Sequence, residues 1–269
     1  MGRGIAVPAQ IRALVIGFIG GIFGGLVGLG GGVVMVPLLT LWAGLSQHEA
    51  HGTSLAAVIA TGIVGAWVYA GRGAVNWSAA AWLAAAAVSA SYVSARYASR
   101  VPGMRLRKYF GAFLLVVAVL LVLKNRLFWN GGLSGAALPL VLLAIGALAG
   151  GIAGLLGVGG GVLIVPLLVL GTGLSQHTAQ GTSLAALVLT GVTGTWVYAR
   201  HGHLRRHILV MLLPGVILGC WLGGHGALGA SGWALRLLFA AVLLWLGLRY
   251  LGLGAWLRLR VRRPALTSG

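Results

Sequence analysis

The residues of this chain that could do chemistry are few, and they come in pairs. Residues 46–54 read SQHEAHGTS and residues 175–183 read SQHTAQGTS. Each copy supplies a Gly-Thr-Ser triplet, Thr53 with Ser54 and Thr182 with Ser183. Set at a helix start, such a triplet offers hydroxyl and backbone N–H donors that suit a tetrahedral or pyramidal oxyanion; helix capping by a serine or threonine of each set is the alternative role. Ahead of each triplet lies a glycine run, Gly28, Gly30, Gly31 and Gly32 in one copy and Gly157, Gly159, Gly160 and Gly161 in the other, followed by Pro37 or Pro166. A helix is expected to break over these glycines and prolines, exposing N–H groups at the positive end of a helix dipole where an anion is stabilised. Close helix packing through small residues is the competing reading.

Titratable groups are scarcer still. His48 and His177 match between the copies, whereas Glu49 and His51 are replaced by Thr178 and Gln180. Histidine changes charge near neutral pH, so His48, Glu49, His51 and His177 are the candidate coupling residues, with structural hydrogen bonding as the other role for the histidines. Glu49 is the single acid against 19 Lys and Arg. Chemistry that needs two carboxylates, such as glycosidase dyads, two-metal phosphoryl transfer or a Walker-B site, is therefore excluded. The glycine runs contain no G-x-G-x-x-G, and His201, His203 and His207 have no carboxylate or thiol beside them, so neither a dinucleotide nor a metal is expected. Cys220 is the lone cysteine; it reads as a small apolar helix residue, or as the nucleophile of an intramembrane enzyme with a histidine as base.

The elements that must position these residues are membrane helices. The chain has 269 residues, is 59% hydrophobic and only 7% charged, and has a mean hydropathy of +1.01, where soluble domains are about one-quarter charged. Its net charge of +18 sits between long apolar runs rather than on a solvated surface, which argues for basic loops orienting a membrane protein and against nucleic acid as a partner. Apolar stretches cover 13–43, 52–70, 77–95, 109–123, 136–172, 181–199, 208–224 and 234–252. Trp67, Tyr69, Trp196 and Tyr198 read as interfacial aromatics.

A displacement of 129 residues lays 21–73 over 150–202 without a gap, with 33 of the 53 pairs identical. The fold class is therefore all-α: a polytopic membrane protein of two homologous repeats, 1–133 and 134–269, each with a Gly-broken, re-entrant helix and three transmembrane helices. Such duplication is characteristic of secondary transporters, whose substrate site lies where the repeats meet near the midplane. If both glycine stretches crossed the bilayer, the cluster Arg96, Arg100, Arg105, Arg107 and Lys108 would face away from the termini. As hairpins they make the repeats antiparallel and put 14 basic residues on the side of the termini against 4 opposite, which the positive-inside rule favours with both termini cytoplasmic.

The duplicated G-x-x-G-x-G-G-G-x-x-x-V-P-x-L, followed by G-T-S-L and a small-residue span ending in W-x-Y, resembles the TauE/SafE family of sulfite and organosulfonate transporters from about Ile16 to Leu251. The resemblance implies a bacterial or archaeal inner-membrane permease without ATPase activity or cofactor, moving sulfite, sulfoacetate or related organosulfonates. It implies substrate contacts from Gly28, Gly30, Gly31, Gly32, Thr53, Ser54, Gly157, Gly159, Gly160, Gly161, Thr182 and Ser183. The near absence of acids departs from many relatives and argues against a carboxylate proton relay. An anion channel and an enzyme using Cys220 are the alternatives. Expected partners are the small anion, anionic lipid touching basic loops and the Arg258–Arg263 tail, and a second copy in a homodimer.

Overall fold

The computed structural model describes residues 9–97, 103–127, 137–156 and 160–251, and these form ten helices. In order they are α1 (Ala9–Val27), α2 (Gly32–Trp42), α3 (Gln47–Ala70), α4 (Trp77–Tyr97), α5 (Gly103–Leu127), α6 (Ala137–Leu156), α7 (Gly161–Gly171), α8 (Gln176–Arg200), α9 (Arg206–Gly229) and α10 (Gly232–Leu251). Apolar side chains without internal polar partners drive this outcome, because in lipid only a helix satisfies its own backbone donors and acceptors. Among the described residues α1, α3, α6, α8, α9 and α10 are long and apolar enough to cross a membrane. With 11 residues each, α2 and α7 reach only about 16 Å.

The chain reverses between α1 and α2. Arg12, near the start of α1, donates to the carbonyl of Trp42 at the end of α2 over 3.3 Å. Eleven positions apart in sequence, Gly31 lies against Gly20, where a Cβ would sit 2.2 Å from the Gly20 carbonyl oxygen. A helix continued through the break would hold those residues about 16 Å apart, so α1 and α2 form a hairpin whose ends share one side. Its turn needs glycine: Gly28, Gly30 and Gly31 have φ of 78°, 77° and 76°, the left-handed region that side-chain-bearing residues avoid. The break belongs to these glycines alone. Pro37 and Pro166, expected at the break, lie inside α2 and α7, both of which run on through them.

Glycine also sets how the repeats interlock. Along α1, Gly17, Gly21 and Gly25 recur every fourth residue and press on the backbone of α9 at Leu212, Val216 and Cys220. From α9, Gly215, Gly219 and Gly223 press back on Leu14, Phe18 and Ile22. A methyl at Gly17, Gly215, Gly219 or Gly223 would lie 2.2 Å from a facing carbonyl oxygen, so the parallel helices touch backbone to backbone. The pair α6 and α4 meets in the same way at Gly146 on Leu83 and Gly150 on Ala87. At the centre α3 and α8 cross antiparallel, Gly62 beside Val188 and Gly191 beside Ile59. Equivalent contacts thus recur with the partners exchanged between halves.

Candidate functional site

The first glycine turn and the start of α7 meet at the α3–α8 crossing. Gly30 abuts Val58 of α3 and Leu187 of α8, and Gly161, the first residue of α7, abuts Leu29 and the Gly28 carbonyl. Val58 lies midway along α3, which is what holds the turns far from either helix end. Gly157 and Gly159 lie outside the described residues.

The Gly-Thr-Ser triplets are not at helix starts. α3 begins at Gln47 and α8 at Gln176, each capped by the serine ahead, with Ser46 accepting from Glu49 N–H and Ser175 from Thr178 N–H. The triplets therefore sit in the second turn, with their N–H groups already committed to the helix. Thr53 and Thr182 are fully buried and accept across the repeats: Arg205 N–H donates to Thr53 Oγ1 at 3.3 Å, and Asn76 N–H to Thr182 Oγ1 at 2.9 Å. Asn76 Oδ1 in turn accepts from Ala79 N–H at 2.9 Å, capping α4. Each threonine thus fixes the chain where it enters the other half's third long helix.

The first turn is locked by residues of α8 and α3. Gln180 Nε2 donates to the Leu26 carbonyl at 3.3 Å and Ser183 Oγ to the Gly28 carbonyl at 3.1 Å. Tyr69 Oη lies 3.0 Å from both the Gly25 carbonyl and Gln180 Oε1, sharing its one proton between them. Tyr69 is wholly buried, so it is not the interfacial aromatic its sequence context suggests; Trp67, 69% exposed, faces outward. The Cys220 thiol donates to the Thr61 carbonyl at 3.4 Å and is buried, which leaves it in a packing role at this turn.

In the second copy one residue differs at the end of the first long helix. A methyl at Gly24 would lie 2.8 Å from the Gly31 nitrogen; the equivalent Ala153 carries that methyl, and among the described residues no heavy atom comes closer than 3.4 Å to the Cβ position of Gly160. Gly160 correspondingly has φ −71° where Gly31 has 76°. A cavity of about 20 Å³ opens here, lined by Ser91, Ala153, Gly154, Gly160, Thr190 and Tyr198 among others, room for one water molecule. His51 approaches from α3, 6.4 Å from the Tyr198 ring by centroids and 3.1 Å from Gln47 Nε2. Ser54 Oγ donates to the His51 carbonyl.

The remaining candidates lie at the helix ends. Glu49 closes the capping box on Ser46 and binds the Arg205 guanidinium through Nε at 2.7 Å and through Nη2. That ion pair ties the start of α3 to the start of α9. His48 stacks on His203 at 5.2 Å between ring centroids, beside His201 at 6.5 Å. His177 Nε2 lies 3.1 Å and 3.2 Å from the carbonyls of Ala227 and Ala230, joining α8 to the end of α9. Among the described residues no group of three or more His, Cys, Asp or Glu side chains is gathered for a metal. Tyr69, Ser91 and Ala153 were invisible as site residues in sequence, although pairing Ser91 with Cys220 and Ala153 with Gly24 across the 129-residue displacement would have marked two of them.

Ten helices among the described residues, six of them long and apolar enough to cross a membrane, describe a multi-pass helical membrane protein. Residues 13–250 match the family model described as sulfite exporter TauE/SafE, and the chain belongs to that family. It is 31% identical over 218 residues, 79% of this chain and 82% of the relative, to a probable membrane transporter protein of Xylella fastidiosa. A Bacillus subtilis relative, probable membrane transporter protein YunE, is 28% identical over 81% of this chain and 86% of its own length. A probable membrane transporter protein of Methanocaldococcus jannaschii is 27% identical over 69% of this chain and 70% of its own. No solved structure matches. The chain is thus a membrane transporter of the TauE/SafE family.

Proposed function

We propose that this transporter moves sulfur-containing anions, sulfite, sulfoacetate or related organosulfonates, by alternating access at the place where the two hairpins meet. The observation that carries the reading is that the first glycine turn and the start of α7 meet on the antiparallel α3–α8 crossing, midway along both helices. Half-length helices α2 and α7 start there, with their positive ends inside the protein, and hydroxyls rather than charged side chains surround them. Such a setting suits an anion and offers a cation no carboxylate. An opening between repeats of opposite polarity gives each side of the membrane its turn of access.

The hairpins are re-entrant in this reading, which leaves both termini, the α4–α5 connection and the 200–206 loop on the cytoplasmic side of the inner membrane. The basic residues of those segments support that orientation, and they would meet anionic lipid there. The test is uptake of labelled sulfite and sulfoacetate into proteoliposomes holding the purified chain, with and without an imposed proton gradient. Saturable uptake of one or both is expected; no flux of either under any gradient would remove the substrate assignment.

A further inference from the structure

The open end of the first hairpin carries a groove that neither its turn nor the α3–α8 crossing uses. α1 begins and α2 ends there, and among the described residues Arg12, Val15, Leu41 and Trp42 line a groove of about 440 Å³ between them. Its walls are apolar and face outward: Val15, Leu41 and Trp42 are exposed, as is Arg12 at the rim. Such a face at a membrane edge lies against lipid, with the tryptophan at headgroup level. The Arg12 guanidinium has five N–H donors, and its hydrogen bond to the Trp42 carbonyl takes one. The chain offers it no acidic side chain, because the single one, Glu49, is bound to Arg205. A guanidinium above an apolar groove, with no carboxylate to neutralise it, has the charge and shape that a phosphate joined to acyl chains completes.

The arrangement belongs to one half only. Extending the 129-residue displacement along α1 and α6 puts Val141 in the place of Arg12, and Gly171, the last residue of α7, stands in the place of Trp42. On the side where α1 begins, arginine also lies on tryptophan at the ends of two long helices: the Arg200 guanidinium is 3.8 Å from the Trp196 ring centroid, and that of Arg249 is 5.4 Å from Trp245. α9 starts on that side, parallel to α1, so α8 before it and α10 after it both end there. Cation and aromatic ring together mark the headgroup level of that leaflet. We propose that Arg12 and Trp42 form a binding site for one anionic phospholipid, its phosphate on the Arg12 guanidinium and the first part of an acyl chain in the groove between Val15 and Leu41. Seated there, the lipid bridges the two ends of the hairpin that the hydrogen bond from Arg12 to Trp42 already joins. The site is independent of which anion the protein moves.

The probe is phosphatidylglycerol, titrated onto the purified full chain in neutral detergent, with the first bound lipid counted by native mass spectrometry and phosphatidylcholine as the zwitterionic comparison. The parent is expected to bind phosphatidylglycerol about fivefold more tightly, as one lipid charge beside one arginine gives. Arg12→Gln should remove that preference and Arg12→Lys should keep most of it. Arg72→Gln, which removes an exposed cation at the far end of α3, should leave it within about twofold. Val15→Trp fills the groove, leaves the guanidinium in place, and should weaken the binding of both lipids. A preference that survives Arg12→Gln, or that Arg72→Gln reduces as much, overturns the site, and so does undiminished binding to Val15→Trp. Inorganic phosphate is the remaining arm: it is expected to leave bound phosphatidylglycerol in place, and displacement by it would make this a site for free phosphate and overturn the lipid assignment.

Discussion

Replacing Gly31 by alanine puts a methyl where the hairpin has no room. With φ at 76°, an alanine there adopts the left-handed conformation, at about 1–2 kcal/mol. The added Cβ would also lie 2.2 Å from the Gly20 carbonyl oxygen and 2.9 Å from its carbon, backbone atoms that cannot rotate away. Overpacking of that kind costs about 1–3 kcal/mol. Gly160 is the same residue of the other copy, and its φ is −71°, with the nearest atom of the described residues 3.4 Å from a new Cβ, so neither cost is expected there. Alanine at 160 also reduces the freedom of the unfolded chain, a gain of about 0.4–1 kcal/mol where the native conformation is compatible. At about 2–4 °C per kcal/mol for chains of roughly this size, Gly31→Ala should lower the melting temperature by about 4–20 °C. Gly160→Ala should move it by no more than about 4 °C. Thermal unfolding of both proteins in the same detergent, followed by light scattering or intrinsic fluorescence, makes the comparison. Equal falls for the two variants, or none for Gly31→Ala, would refute the difference in backbone and room between Gly31 and Gly160.

Further outcomes follow from the same contacts. Thr182→Val and Thr53→Val each strand a backbone N–H, of Asn76 or Arg205, and should cost about 1–3 kcal/mol in thermal or denaturant unfolding, with recovery in the Thr→Ser variants. Gly219→Leu drives a side chain into the Phe18 carbonyl, 2.2 Å from the Cβ position, and should abolish a monodisperse peak in size-exclusion chromatography, while Gly226→Ala, with no neighbour nearer than 3.8 Å, should not. Glu49→Gln keeps the capping geometry and loses the ion pair to Arg205; sulfite uptake within about twofold of the parent is expected, and loss of gradient-driven uptake would return Glu49 to a coupling role.

What sequence revealed and what it withheld divide along physical lines. The break at Gly28–Gly32 was legible because left-handed backbone demands glycine there, and because the same run occurs twice. Whether the chain runs on or reverses there was one of two alternatives, and in the first copy the contacts of Gly31 with Gly20 and of Arg12 with Trp42 show a reversal. Gly-Thr-Ser looked like a helix start because the apolar pattern begins there; the true start lies at Gln47, since Ser46 and Glu49 close a capping box over a polar first turn. The partners of Thr53 and Thr182 lie 152 and 106 residues away along the chain, on the other repeat, a separation that no local motif encodes. The asymmetry of the halves was written in single substitutions, Gly24 against Ala153 and Cys220 against Ser91, whose meaning depends on what each faces.

Counterflow separates a carrier whose anion-binding place between the repeats alternates its access from a pore. Proteoliposomes holding the purified chain would be loaded with unlabelled sulfite at high concentration, diluted, and given a trace of labelled sulfite outside. A carrier with a single alternating site is expected to accumulate label transiently above its outside concentration, because each exit of unlabelled substrate leaves the site facing outward, where it binds label and carries it in. Label that only equilibrates, with no overshoot at any internal load, would contradict alternating access and leave an anion pore.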